Sequence, residues 1–236
     1  MIRMLLRSGD TVEIILSFLA VILSALGAII LHENAHGIVA LWCGDETAKL
    51  QGRISLNPAK HFDIFGFIMF IVIGFGWARP VPVNPNNYKH RKLDSVLVAL
   101  AGVFTNVVLA FICCGLLAAF FAILKDVNEV NTSMYYFLYF IEYLFFYGAV
   151  INLTLLAFNI LPIYPLDGFR VIEALAPNSV YVTFMRKYGT YILLGLVILS
   201  YALSYVSPYL NVFSLYINAV VKGILNPMFK IFGVAF

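Results

Sequence analysis

Charge is scarce in this chain, and what there is offers no face for a polyanion. Charged residues make up 11% of the 236, against 62% apolar, and the formal net charge is only +3. A nucleic-acid binder needs a basic patch or stripe, so the composition excludes that partner. Cysteine is nearly absent too. Cys43, Cys113 and Cys114 form no even framework, and the last two are adjacent in an apolar run. They read as free thiols, with neither a disulfide scaffold nor a Cys-based zinc ribbon. There is no internal repeat, no low-complexity tract and no polar stretch long enough for a separate soluble domain, so residues 1–236 are expected to form a single membrane domain.

What the chain has instead is long apolar runs. A bilayer core takes about 20 helical residues to cross, and the recurrence of such runs predicts an all-α polytopic membrane protein of about five to six transmembrane helices. The first, residues 13–42, follows Arg3 and Arg7 as the apolar part of a signal peptide would. Asp10 and Glu13 interrupt that pattern and the run is long for such a segment, so it is read as a first transmembrane helix. Further helices are expected at 95–124, 134–161, 188–206 and 209–232, with a short one ending at Ala176. Lys222 and Pro227 lie inside the last and argue against a clean span.

Two stretches break the helical pattern. Over residues 47–56, Thr47, Lys49, Gln51, Arg53 and Ser55 alternate with Ala48, Leu50, Gly52, Ile54 and Leu56. Period two is a strand signature, and it predicts a small membrane-associated β-hairpin or sheet. Residues 62–78 are apolar but short, and Gly66, Gly74 and Gly76 interrupt them, which suits either a short span or a re-entrant segment after the first helix. Pro80, Pro82 and Pro85 make the next stretch extended, and Lys89, His90, Arg91 and Lys92 mark a solvated basic rim.

Within the first helix, His32-Glu33-Asn34-Ala35-His36 places two histidines four residues apart. On a helix those positions share a face, so both imidazoles can reach one metal ion. Glu33 lies about a hundred degrees round the helix, where it can touch a water beside the ion rather than the ion itself. This is the H-E-x-x-H pattern of zinc hydrolases. The bland alternative is a pair of satisfied interior histidines and a snorkelling glutamate, but charged groups cost about 2.5 to 3.5 kcal/mol each in hydrocarbon and are rarely left there without a task.

A catalytic zinc takes a third protein ligand, and the candidates are His61, His90, Glu142 and Asp167. His61 and His90 fall in interface loops and read as solvated or supporting histidines. Glu142 and Asp167 are about 25 residues apart and near opposite membrane faces, so only one shares a depth with the histidines. Parity decides between them. If residues 62–78 cross the bilayer, the end of the 134–161 helix faces away from the histidines; if they re-enter, the two helix ends meet on one side. Re-entrance also gathers Lys49, Arg53, Lys60, Arg79, Lys89, Arg91, Lys92 and Arg170 on that side, which the positive-inside rule makes cytoplasmic, while Arg3 and Arg7 argue the other way.

These residues resemble the site-2 protease family of intramembrane zinc metalloproteases. The match rests on His32 through Gly37, on Asn159 through Pro162 and on Pro165-Leu166-Asp167-Gly168. Gly52 through Pro58 and Pro80 through Pro85 look like the compact branch of that family. Two positions depart from its pattern: Val103 stands where the family has proline after Ala-Gly, and Phe169 replaces a second glycine after the aspartate. Neither touches a metal ligand. The resemblance implies a catalytic core over 13–170, additional C-terminal transmembrane helices over 181–236, and one zinc per chain held by His32, His36 and Asp167.

It further implies cleavage of transmembrane protein substrates in or near the bilayer of the cell membrane, with the active site towards the cytoplasm. Glu33 would act as general base, and Asn159 could donate to the scissile carbonyl; interhelical hydrogen bonding is the plainer role for Asn159 and for Asn106. An unwound substrate segment could pair with the strand edge at Leu50, Gly52 and Ile54, with Asn106 nearby, or that hairpin could simply cap the site. A regulatory partner protein stays open. The rival reading is a non-proteolytic membrane protein that binds or transports metal, although a transporter should carry polar residues along several helices.

Overall fold

Helices form where the apolar runs lie. The computed structural model describes residues 10–61, 63–73, 76–125, 127, 131–207 and 211–234. Its long helices are α1 (Thr11–Trp42), α4 (Arg91–Leu124), α5 (Thr132–Asn159), α7 (Val180–Val206) and α8 (Val212–Ile231). These five are long and apolar enough to cross a membrane, which makes the protein multi-pass. Between them come a single turn, α2 (Thr47–Leu50), and the shorter α3 (Ile64–Ile73) and α6 (Asp167–Leu175). Side chains start several of them: Asp10 caps α1 through the Val12 amide, Asn131 caps α5 through Met134, and Ser179 caps α7 through Val182. Arg3 and Arg7 lie outside the described residues, as do Phe62, Gly74 and Phe75.

The core is a bundle of α1, α4 and α5. α1 presents a face of small residues, Ser17, Ala20, Ser24, Ala25 and Ala28, all buried. Small side chains let membrane helices approach closely, because lipid supplies no hydrophobic drive to association. Ser17 shares a hydrogen bond with the Tyr139 hydroxyl (2.8 Å), and Ser24 donates to the Leu144 carbonyl (3.1 Å). These pairs rise together in sequence, so α1 and α5 run the same way and their C-terminal ends share one end of the bundle. α4 runs against them: His36 contacts Val98, and His32 packs against Gly102. His32, His36 and Asp167 therefore lie at the same end of the bundle. Glu142 falls between the levels of Ser17 and Ser24, at least eight residues before His32, or about 12 Å up the helix.

The expected β-hairpin is absent: no strand occurs among the described residues. The reason is local. Asp45 accepts hydrogen bonds from the backbone and hydroxyl of Thr47, Leu50 N–H returns to the Glu46 carbonyl and Arg53 N–H to Ala48, and Gly52 turns the chain at φ +60°. Backbone donors that would have paired with a neighbouring strand are spent within the segment, and the alternation marks only the two sides of a turn. The docking edge assigned to Leu50, Gly52 and Ile54 goes with it. Leu50 is exposed on the turn, the Gly52 carbonyl accepts from Lys60 Nζ (2.7 Å), and Ile54 packs towards Gly37.

No sixth span is described between α1 and α4. α3 has ten residues, about 15 Å of helix, half of a hydrocarbon core. Its flanks meet, since Arg79 N–H donates to the His61 carbonyl at 2.9 Å. A Cβ on Gly66 would stand 2.0 Å from the Trp77 carbonyl oxygen and one on Gly76 would stand 2.2 Å from that of Gly66, so glycine at both places permits backbone contact between the two limbs.

Candidate metal centre

Three side chains from two distant parts of the chain converge at the end of the bundle. His32 and His36 project from one face of α1, and Asp167 opens α6. His32 Nε2 and His36 Nε2 are 3.1 Å apart, and Asp167 Oδ2 lies 3.2 Å and 3.3 Å from them. All three residues are buried. A tetrahedral zinc with ligands at about 2.0 to 2.1 Å separates any two of them by about 3.3 Å, so the triangle has the edge length of one face of such a site. Among the described residues this is the one cluster of His, Cys, Asp and Glu that could hold a metal.

The surroundings aim these atoms. His36 Nδ1 donates to the Val98 carbonyl of α4 at 2.6 Å, which leaves Nε2 bare for a metal. Gly102 on α4 is what lets His32 stand where it does: a Cβ there would lie 2.4 Å from His32 Cε1. Burial by itself would push the Asp167 carboxyl up, but the His32 and His36 imidazoles against it outweigh that and hold the group well below the ordinary carboxylate range. The sequence pattern of peptidase family M50 matches residues 18–202, a stretch that contains all three.

The chain belongs to family M50. This is the site-2 protease family that the two-part motif resembles. Over 169 residues, 70% of this chain, it is 43% identical to YwhC of Bacillus subtilis, named as a candidate zinc metalloprotease, and the match covers 74% of that protein. Two further relatives bear the same kind of name. MJ0611 of Methanocaldococcus jannaschii is 30% identical over 160 residues, 67% of this chain and 72% of its own. Rip2 of Mycobacterium tuberculosis is 28% identical over 173 residues, 70% of this chain and 62% of its own. No solved structure matches significantly.

Around the triangle of this M50 peptidase the other expected residues fall in different places. Glu33 follows His32 on α1, and its Oε2 accepts from the Val81 backbone N–H at 2.8 Å. Asn159 ends α5 with its amide donating to Leu155 in its own helix (3.0 Å), not across to another. Asn106 follows Gly102 by one turn of α4; it is fully buried, and neither amide atom has a protein partner. His61 Nε2 donates to the Ser55 carbonyl (2.8 Å) outside the triangle, and the His90 backbone N–H donates to Asp94 at the start of α4. Glu173 pairs with Arg186 at 2.7 Å.

Three contributors carry no signal of metal chemistry in the sequence. The Val98 carbonyl and the Val81 amide are backbone groups, visible only once the helices pack. Asn34, inside the motif, grips Ser55 at both ends, its Oδ1 accepting from Ser55 N–H (2.7 Å) and its Nδ2 donating to the Ser55 carbonyl (2.8 Å). That bond moors the loop after α2 to α1.

Proposed function

We propose that His32, His36 and Asp167 hold one zinc ion per chain and that Glu33 is the general base of an intramembrane metallopeptidase. The observation that carries this is the buried triangle of 3.1, 3.2 and 3.3 Å, which fits tetrahedral zinc with a position left for substrate or water. When bound, zinc supplies a Lewis acid that polarises the scissile carbonyl and acidifies water. The chain's residues do the rest. Glu33 takes a proton from the attacking water and passes it to the leaving amide nitrogen as the C–N bond breaks. His36 stays oriented by Val98. Asn159 is offered as a donor to the scissile carbonyl, since it sits at the end of α5 that faces the site's end of the bundle.

The substrate is a membrane-embedded protein cleaved within or near the bilayer. A transmembrane segment arrives as a helix whose carbonyls are already bonded, so it must unwind before one becomes reachable. Residues 62–78 are proposed to dip into the membrane and return, a reading supported by the length of α3 and the bond between Arg79 and His61. Lys49, Arg53, Lys60, Arg79, Lys89, Arg91, Lys92 and Arg170 belong to the loops and helix ends around the site, and by the positive-inside rule that end faces the cytoplasm of a cell-membrane protein.

The test is co-expression of wild type and Glu33→Gln with a set of single-span membrane proteins. The wild type is expected to produce a fragment that Glu33→Gln does not, while both retain zinc. A fragment made equally by both, or an unaltered metal transport activity with no fragment from either, would overturn the reading.

A further inference from the structure

Glu33 does not stand free. The chain from Arg79 to Asn84 crosses it as an extended strap, and Val81 N–H donates to Glu33 Oε2 at 2.8 Å. Pro80 and Pro82 flank that residue and have no N–H to give, so the strap offers the carboxylate a single donor from three consecutive residues. The strap is itself fastened on both sides. Arg53 Nη2 donates to the Arg79 carbonyl (2.8 Å) and the Pro80 carbonyl (3.0 Å). Downstream, buried Asp45 accepts from Asn84 N–H (2.6 Å) and from Asn87 Nδ2 (2.8 Å). The side of Val81 fits over Gly37, where a Cβ would lie 3.1 Å from Val81 Cγ1. Among the described residues, Glu33 Oε1 receives no protein hydrogen bond.

We propose that this Pro-Val-Pro strap is a positioning device for the general base: the Val81 amide fixes Oε2, and Arg53 and Asp45 fix the amide. This rests on the role of Glu33 proposed above. A carboxylate on a flexible side chain can swing; one with an oxygen tied to rigid backbone presents its other oxygen in one direction. Arg53 and Asp45 are positioning residues, acting on Glu33 only through the strap. The turn at 47–52 and the proline segment thereby gain a purpose that neither the absent strand nor the metal triangle explains.

Val81→Pro deletes the donor and keeps an extended backbone, while Val81→Ala keeps the N–H. With a single-span protein that wild type cleaves in reconstituted vesicles, Val81→Pro is expected to lower kcat by about ten- to a hundredfold with KM and zinc content unchanged, and Val81→Ala to recover most of the loss. Arg53→Ala and Asp45→Ala are expected to lower kcat in the same direction. A second readout needs no turnover. Val81 and Val83 are the valines that follow a proline in this sequence, so isotopic labelling of proline carbonyl carbon and valine nitrogen isolates their two amides by NMR. The Val81 proton should move upfield in Glu33→Gln, Arg53→Ala and Asp45→Ala, and the Val83 proton should stay. Equal kcat in Val81→Pro and Val81→Ala, loss of zinc from Val81→Pro, or a Val81 proton indifferent to Glu33→Gln would overturn the proposal. Failure of the underlying reading shows separately, as wild-type protein that binds no zinc or a Glu33→Gln variant that still cleaves.

Discussion

Replacing Gly102 by alanine sets a methyl group where His32 already stands. The added carbon would lie 2.4 Å from His32 Cε1 and 2.6 Å from both ring nitrogens. Carbon contacts are comfortable from about 3.5 Å, so either the imidazole or α4 must move by about 1 Å. Metal–ligand distances tolerate about 0.2 Å, a fraction of that displacement. The ring cannot absorb it and keep its place in the triangle. Zinc affinity is therefore expected to fall by at least about ten- to a hundredfold, with overpacking costing about 1 to 3 kcal/mol of stability. Gly27 is the natural control, since a Cβ there meets nothing within 4 Å. Gly27→Ala should leave zinc affinity unchanged and stabilise α1 by up to about 1 kcal/mol. The assay is competition for zinc against a chromophoric chelator in detergent, with thermal unfolding run in parallel. Wild-type zinc affinity in Gly102→Ala would refute the packing argument.

Acid should loosen the strap. Burial by itself would raise the Asp45 carboxyl, but hydrogen bonds from Thr47, Asn84 and Asn87 bring it below the ordinary value of 3.8. A folded value below the unfolded one stabilises at all pH above about 4 and is lost as pH falls through the folded value. Protection of the amides of residues 79–87 against hydrogen exchange, relative to the unstructured rate at each pH, is expected to fall in that acid range for wild type and to be low already at neutral pH in Asp45→Asn; identical protection profiles would contradict this. Gly66→Ala should force the two limbs of the 62–78 loop apart, since its Cβ would sit 2.0 Å from the Trp77 carbonyl, and limited proteolysis should cut there more readily than in wild type. Glu173→Ala is expected to retain zinc, because that carboxylate is engaged with Arg186; loss of zinc would contradict the three-residue ligand set.

What could be read from the sequence followed from how local the physics is. The relation of His32 to His36 needs only helical periodicity, and the apolar runs need only the thickness of a bilayer. The pairing with Asp167 depended on whether residues 62–78 cross, which composition left open between a short span and a hairpin. It took the parallel contacts of α1 with α5, at Ser17 and Ser24, to bring the helix ends together. The strand at 47–56 was misread because alternation reports two unlike sides and not how backbone donors are used. Asp45, bonded to Thr47, and Gly52 turn the same alternating residues into a short helical turn. Val81 was out of reach for a different reason: its contribution is an amide, and no side-chain pattern announces it. Nothing in the sequence marks Gly102 as the neighbour of a metal ligand.

The most direct test is zinc counted per chain in purified wild type and in Asp167→Ala, each loaded with excess zinc and then desalted. The triangle formed by the two imidazoles and this carboxylate requires one equivalent in wild type and little or none in Asp167→Ala, with the helical fold intact by circular dichroism. A full equivalent held firmly without Asp167 would contradict it.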